Sequence, residues 1–360
     1  MDLPYKILDF ARLGADRAMF LASLYNLVNA AYLTRISGQG RGVLPQSGLT
    51  SGLAFAVAFA VMPSSRQSLF RGERMGGGSA KKEGICALTG TQGRYVKAHI
   101  IPRALAPPRD GGEAFAQLGN RRRPSRRRDS WYDLGLVTQA GEDILTGYDT
   151  WAIAELRRLK LVWQAWGPML SLATHDFAPI PGTPWGLRSV RFSDPLRMRR
   201  FLLSVLWRTA ETTLVEFNEI VLRSSTLRRL RKCVRDGEDA PLTFLPVSLT
   251  QLSTRGPMHN FGAIAQEKTI PSVAGLKARK VPIFRLYIDG LVAHFHPEAG
   301  DRTLEGLGPM MVGLAEETTI STVTFEASWQ RLNLGYVMAD SDHEFPGGVE
   351  RAEVQRRFTA

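Results

Sequence analysis

"CALTGTQGRYVKAHIIPRAL", residues 86–105, is the stretch on which the fold is decided. It opens on Cys86-x-x-Thr89, where a Cys-x-x-Cys pair would be half of a zinc site. "RYVKAHIIP" then reads as a strand that Pro102 ends. His99 lies inside that apolar run. A histidine there is either an ordinary strand residue or a base able to take a proton near neutral pH, its unperturbed pKa being about 6.5.

Outward from this stretch, a long polar connection holds "RRRPSRRR", with Arg121, Arg122, Arg123, Arg126, Arg127 and Arg128. Such blocks usually repel one another and face water. Arginine also suits bidentate phosphate contact. "WYDLGLV" reads as a second short strand. A helix is predicted through "EDILTGYDTWAIAELRRLKLVWQAW", because Ile144, Tyr148, Ala152, Leu156, Leu159, Trp163 and Trp166 recur at three and four, with Gly167-Pro168 stopping it. The local order is strand, loop, strand, helix.

Cys-x-x-(Cys), "AHIIPRAL", a strand and a helix in that order resemble the HNH endonucleases, and most of all the branch whose motif reads Ser-His-Ile-Ile-Pro. "FLLSVLWRTAETTLVEFNEIVLRSSTLRRLR" and "FRLYIDGLVAHF" look like the downstream region of the same branch, so the resemblance spans residues 85–335. It implies a ββα-metal core in which a strand histidine is the general base and one divalent cation, Mg or Mn, polarises the phosphodiester. By position, His99 is the base. Asp133 stands at the central Asn or His and would orient the loop. Glu142 stands at the helix position as metal ligand, with Asp143 behind it. Arg103 and the arginine run would meet the nucleic-acid backbone. The plain alternatives are a turn carboxylate for Asp133 and macrodipole complements for Glu142 and Asp143.

The sequence departs from the family at the structural zinc. Cys86, Thr89, Thr138 and Gly141 occupy the four thiolate positions, so three ligands of four are gone and structural zinc is not expected. Ala98 replaces the Asp that precedes the histidine in many nucleases. His294 and His296 alternate along a strand, but without a placed carboxylate they read as structural.

The chain has 360 residues, 44% of them hydrophobic, enough for a buried core. Its net charge of +12 favours a polyanion, nucleic acid before a membrane surface; with the nuclease resemblance the expected partner is nucleic acid, DNA in the first place. Two cysteines build no disulfide framework and suit a cytoplasmic protein. "MDLPYKILDF" carries no secretory pattern, and the apolar run 53–62 is shorter than the roughly 20 residues a membrane span needs. Three segments are expected. Residues 1–80 are an extension and linker, with Met75 as an alternative start. Residues 81–167 are an HNH-like ββα domain, and residues 168–360 a helical and β-hairpin domain.

In that last segment Asp194 and Pro195 open a long helix that "STLRRLRKCVRDG" continues to Gly237. Asp289-Gly290 turns a hairpin that pairs Ile288 with Leu291, Leu286 with Ala293 and Phe284 with Phe295. "STVTFEA" is a further strand, and the tail after Tyr336 is expected to fray. The fold class is α+β, a small ββα-metal unit followed by a helical and antiparallel-strand region. The leading functional expectation is an HNH-like endonuclease using a divalent cation. The alternatives are a degenerate nucleic-acid-binding protein and a structural or regulatory subunit of an assembly.

Overall fold

The computed structural model describes residues 83–106, 115–119, 122–127, 129–270, 279–297 and 306–348. The expected extension, the Met75 start and the apolar run 53–62 lie outside them. Near the start, β1 (Glu83–Ile85) pairs antiparallel with β2 (Gln92–Arg94). Then β3 (Ala98–His99) follows, and β4 (Phe115–Gln117) pairs with β5 (Ser125–Arg127). β6 (Tyr132–Asp133) returns beside β3, setting Ala98 opposite Asp133 and His99 opposite Tyr132. α1 (Gln139–Arg158) comes next.

The remainder is β7 (Ala178–Pro179), β8 (Trp185–Arg191), α2 (Pro195–Glu211), α3 (Ser224–Asp236), β9 (Val247–Leu252), β10 (Ile264–Ile270), β11 (Arg279–Ile288), β12 (Leu291–Phe295), β13 (Glu317–Val323) and α4 (Trp329–Glu344). Seven of these strands make one mixed sheet in the order β10-β11-β12-β9-β13-β8-β7. All its neighbours are antiparallel except β9 and β13. The chain is α+β.

The β11–β12 hairpin forms as its sequence requires. Asp289 and Gly290 take φ of 44° and 88°, the conformation of a two-residue turn that matches strand twist. Phe284, Leu286 and Ile288 face Phe295, Ala293 and Leu291, and all six are buried. Gly290 is needed twice over. Its φ is positive, and a Cβ there would stand 2.5 Å from Trp163 Nε1.

The sheet has two different faces. One carries Phe284, Leu286, Leu291, Ala293, Phe295, Val247 and Leu249, and it joins Phe201, Leu202, Val205, Leu206, Leu145, Leu156, Ile100 and Cys86 in a single apolar cluster. The His99 region and the sheet therefore share one core. The other face sets Trp163, Trp166, Trp185, Tyr287 and Phe325 together in a second cluster, beside polar side chains that include Arg285 and His294.

Several elements differ from the expectations. The strand around His99 is two residues long, not the whole of "RYVKAHIIP". α1 stops at Arg158, short of Trp163. Lys160 turns left-handed at φ 51°, and Arg188 and Gln251 from the sheet take the last carbonyls: Arg188 Nη2 donates to Leu159 O (2.7 Å), Gln251 Nε2 to Lys160 O (2.7 Å). Trp163 and Trp166 then enter a 3-10 turn on the second face.

The long helix after Asp194 is two helices. The cap is as expected, Asp194 Oδ1 accepting from Arg197 N at 2.8 Å. Thr212 turns extended and its hydroxyl donates to Asp133 (2.7 Å), which ends α2. α3 ends at Gly237 with φ 68°. "STVTFEA" is the end of β13 and a 3-10 turn.

The tail does not fray at Tyr336, for α4 runs to Glu344. Ser328 caps it, and its inward side is polar: Gln330 accepts from Arg285 Nη1 (2.5 Å), and Asn333 accepts from Gln266 (3.2 Å). No helix among the described residues is long and apolar enough to cross a membrane.

Three histidines make this fold sensitive to acid. Burial holds His259 down at about 4, His296 at about 3 and His294 well below its ordinary value. Each folded pKa lies under the unfolded value of about 6.5, so the unfolded chain binds these protons first. Their stabilising contribution is complete above about pH 6.5 and is lost as pH falls through the folded values, by about 1.4 kcal/mol per pH unit per histidine. Urea midpoints should fall steadily between neutral pH and about pH 5. A midpoint constant over that range would contradict this.

Candidate active site around His99

His99 stands on β3, where Ile100 N donates to Trp131 O (2.9 Å) and locks the strand to the segment before β6. That segment delivers Asp129. Its Oδ1 lies 3.3 Å from His99 Nε2 and 3.6 Å from Arg103 Nε, and its Oδ2 pairs with the Lys97 ammonium. Lys97 also sits 4.1 Å over the Tyr132 ring. One carboxylate thus gathers an imidazole and two cations.

Burial lowers the His99 pKa and Asp129 works against it, while Lys97 and Arg103 lower it further; the net shift is down, so the ring is neutral at pH 7. Burial raises the Asp129 carboxyl, and the bonds from Lys97 and His99 outweigh it, leaving Asp129 below its usual value. Sequence inspection missed Asp129. Thirty residues separate it from His99, at the end of an arginine-rich run where a carboxylate reads as charge balance.

A second missed residue lies beneath. Arg208 of α2 is 1% exposed. Its Nη1 donates to His99 O (3.1 Å) and to Asp149 Oδ2 (2.9 Å), and its Nη2 donates to Asp149 Oδ1 (2.5 Å) and Ser204 Oγ (3.1 Å). The His99 backbone is therefore held by a charge pair that joins α1 to α2. Asp133 acts on the loop after β6: Oδ1 accepts from Gly135 N (2.8 Å) and Oδ2 from Thr212 Oγ1 (2.7 Å).

Glu142 and Asp143 do not join His99. Asp143 is exposed and accepts from Gln139 (2.7 Å). Glu142 is partly buried; burial raises its pKa, Arg208 opposes, and Asp149 and Asp143 raise it again. Among the described residues no three His, Cys, Asp or Glu side chains come together to hold a metal ion. His294 and His296 are likewise part of no such group.

The arginines divide. Arg103, Arg122 and Arg123 are exposed. Arg127 turns inward instead, donating to Gln117 (3.2 Å) 4.0 Å from Glu216. Arg126 lies in β5, and Arg121 and Arg128 are outside the described residues.

The four positions of the missing zinc site do come together. Thr89 N donates to Cys86 Sγ at 3.4 Å, and a Cβ on Gly141 would lie 2.6 Å from the same sulfur. Burial pushes the Cys86 thiol up, and bonds with Thr89 and Thr138 outweigh it, so its pKa is lowered. Cys86 is fully buried and packs in the main core. No family model matches the chain, nor does any curated protein or any solved structure.

Two outcomes are expected from this geometry. Asp149→Ala leaves Arg208 buried without its partner and should destabilise the protein by about 3–5 kcal/mol, whereas Asp143→Ala at an exposed site should stay within about 0.5 kcal/mol. Equal losses in chemical denaturation would contradict the placement. Gly141→Ala should lower stability by about 1–3 kcal/mol through the clash with Cys86 and Val137. A neutral result would mean that the sulfur is not packed against residue 141.

Proposed function

We propose that the chain acts on nucleic-acid phosphodiesters at the His99–Asp129 centre, as an HNH-like protein. The observation that carries this reading is the cluster itself. A neutral imidazole is held by a carboxylate, and Lys97 and Arg103 flank it. A neutral, oriented imidazole can take the proton of an attacking water. Two cations beside it can hold a phosphate and offset its developing charge. The convergence of Cys86, Thr89, Thr138 and Gly141 supports the HNH resemblance, as does the order β3, β6, α1. No step is assigned to a divalent cation.

The binding-only reading has its own support. Glu142, the residue expected to anchor a metal, lies under the influence of the Arg208 guanidinium. A chain with that arrangement keeps Lys97 and Arg103 beside Asp129 and the exposed Arg122 and Arg123, and engages phosphates without cutting them.

A plasmid-nicking assay in magnesium, in manganese and in EDTA, run beside DNA binding, separates the readings. If the centre is hydrolytic, His99→Ala and Asp129→Asn should each retain binding, and His99→Ala should lower cleavage by about 10²–10⁴-fold. Cleavage that survives His99→Ala would place the active site elsewhere. Binding without cleavage under every condition would establish the binding-only reading. Replacing Arg122 and Arg123 by Gln should flatten the salt dependence by about 0.9 in log–log slope for each phosphate no longer neutralised.

A further inference from the structure

The second face of the seven-stranded sheet carries a partly open cavity of about 190 Å³, apart from the His99 centre. Arg285 on β11 and His294 on β12 stand opposite each other in the strand register, and both line it. Arg285 is 4% exposed. Its guanidinium donates to Gln330 Oε1 at 2.5 Å, and among the described residues no carboxylate lies within ion-pair distance of it. A guanidinium shut away from water without a counter-ion is strongly destabilising. His294 is partly buried, and its Nδ1 is buried without a hydrogen-bond partner. The lining also includes Lys268, Lys280 and Glu267, the last two paired at 3.1 Å. Its remaining walls include Trp185, Val292, Val323 and Trp329, flat or branched apolar surfaces.

We propose that this cavity binds a small organic carboxylate carrying one aromatic ring. The carboxylate is the counter-ion that Arg285 lacks, and a guanidinium matches its two oxygens with parallel donors. The ring lies against the tryptophan and valine walls. Size sets the limit: an apolar cavity of about 150 Å³ accommodates benzene, so this one takes a single ring and its acid group. The site is independent of the His99 reading.

Calorimetric titration of the full chain with benzoate and with phenylacetate tests the proposal, with benzyl alcohol, benzylamine and inorganic phosphate as controls. Both carboxylates should bind saturably at one site, with a Kd of the order of millimolar or tighter for ligands of this size. Benzyl alcohol, of nearly the same shape without the charge, should bind at least about tenfold more weakly. Benzylamine and phosphate should give no saturable heat. Arg285→Gln should weaken benzoate binding by about tenfold or more, and Arg285→Lys by less. If Arg285→Gln does not fold, the wild-type contrast between benzoate and benzyl alcohol decides alone. Absence of benzoate and phenylacetate binding, or equal binding of benzyl alcohol or of phosphate, would overturn the proposal.

Discussion

The buried pair between Arg208 and Asp149 is the constraint on which the rest of the molecule depends. A guanidinium at 1% exposure is tolerated only where its donors are met. Asp149 on α1 meets it with both oxygens, Ser204 on its own helix adds a third acceptor, and the carbonyl of His99 a fourth. One side chain therefore sets three things at once: the packing of α1 on α2, the place of β3 above them, and the height at which the His99 ring emerges. Asp129 then needs only to arrive from the β6 side to complete the centre.

The sheet follows a complementary logic. Its first face is apolar along β9, β11 and β12 and shares a core with Cys86, Ile100 and Leu145. The second face mixes an aromatic cluster with charged and hydroxyl side chains, and α4 covers it through polar contacts. That division explains why helix α1 stops early. Arg188 and Gln251 reach across to its last carbonyls, and the chain then drops Trp163 and Trp166 onto the far side. It also explains the acid sensitivity, because the histidines of that side are enclosed as neutral rings.

Much of this was legible in the residues. Asp289-Gly290 fixed a register that placed six apolar side chains on one face, and Asp194-Pro195 and Gly237 marked helix ends by local chemistry alone. The residues that build the His99 centre were less visible. Asp129 and Arg208 act across 30 and 109 positions, and no short motif encodes such pairs. Glu142 held the expected place along α1, but nothing in the local sequence indicated that Arg208 would stand beside it. α4 escaped for a different reason: apolar periodicity finds helices that bury apolar faces, and this one turns Gln330, Asn333 and Ser341 inward.

The region around Cys86 is held by packing. Thr89, Thr138 and Gly141 still surround the sulfur, and the core that begins there continues without a break into the sheet. The His99 centre and the sheet should therefore unfold together. Native-state hydrogen exchange in rising denaturant reads this directly. The amides of Ala152 in α1, Ile100 after β3, Leu249 in β9 and Ala293 in β12 should converge on one opening free energy. An opening that exposes Ala152 and Ile100 while Leu249 and Ala293 stay protected would contradict this, because it would show that the shared core does not join the two regions into one cooperative unit.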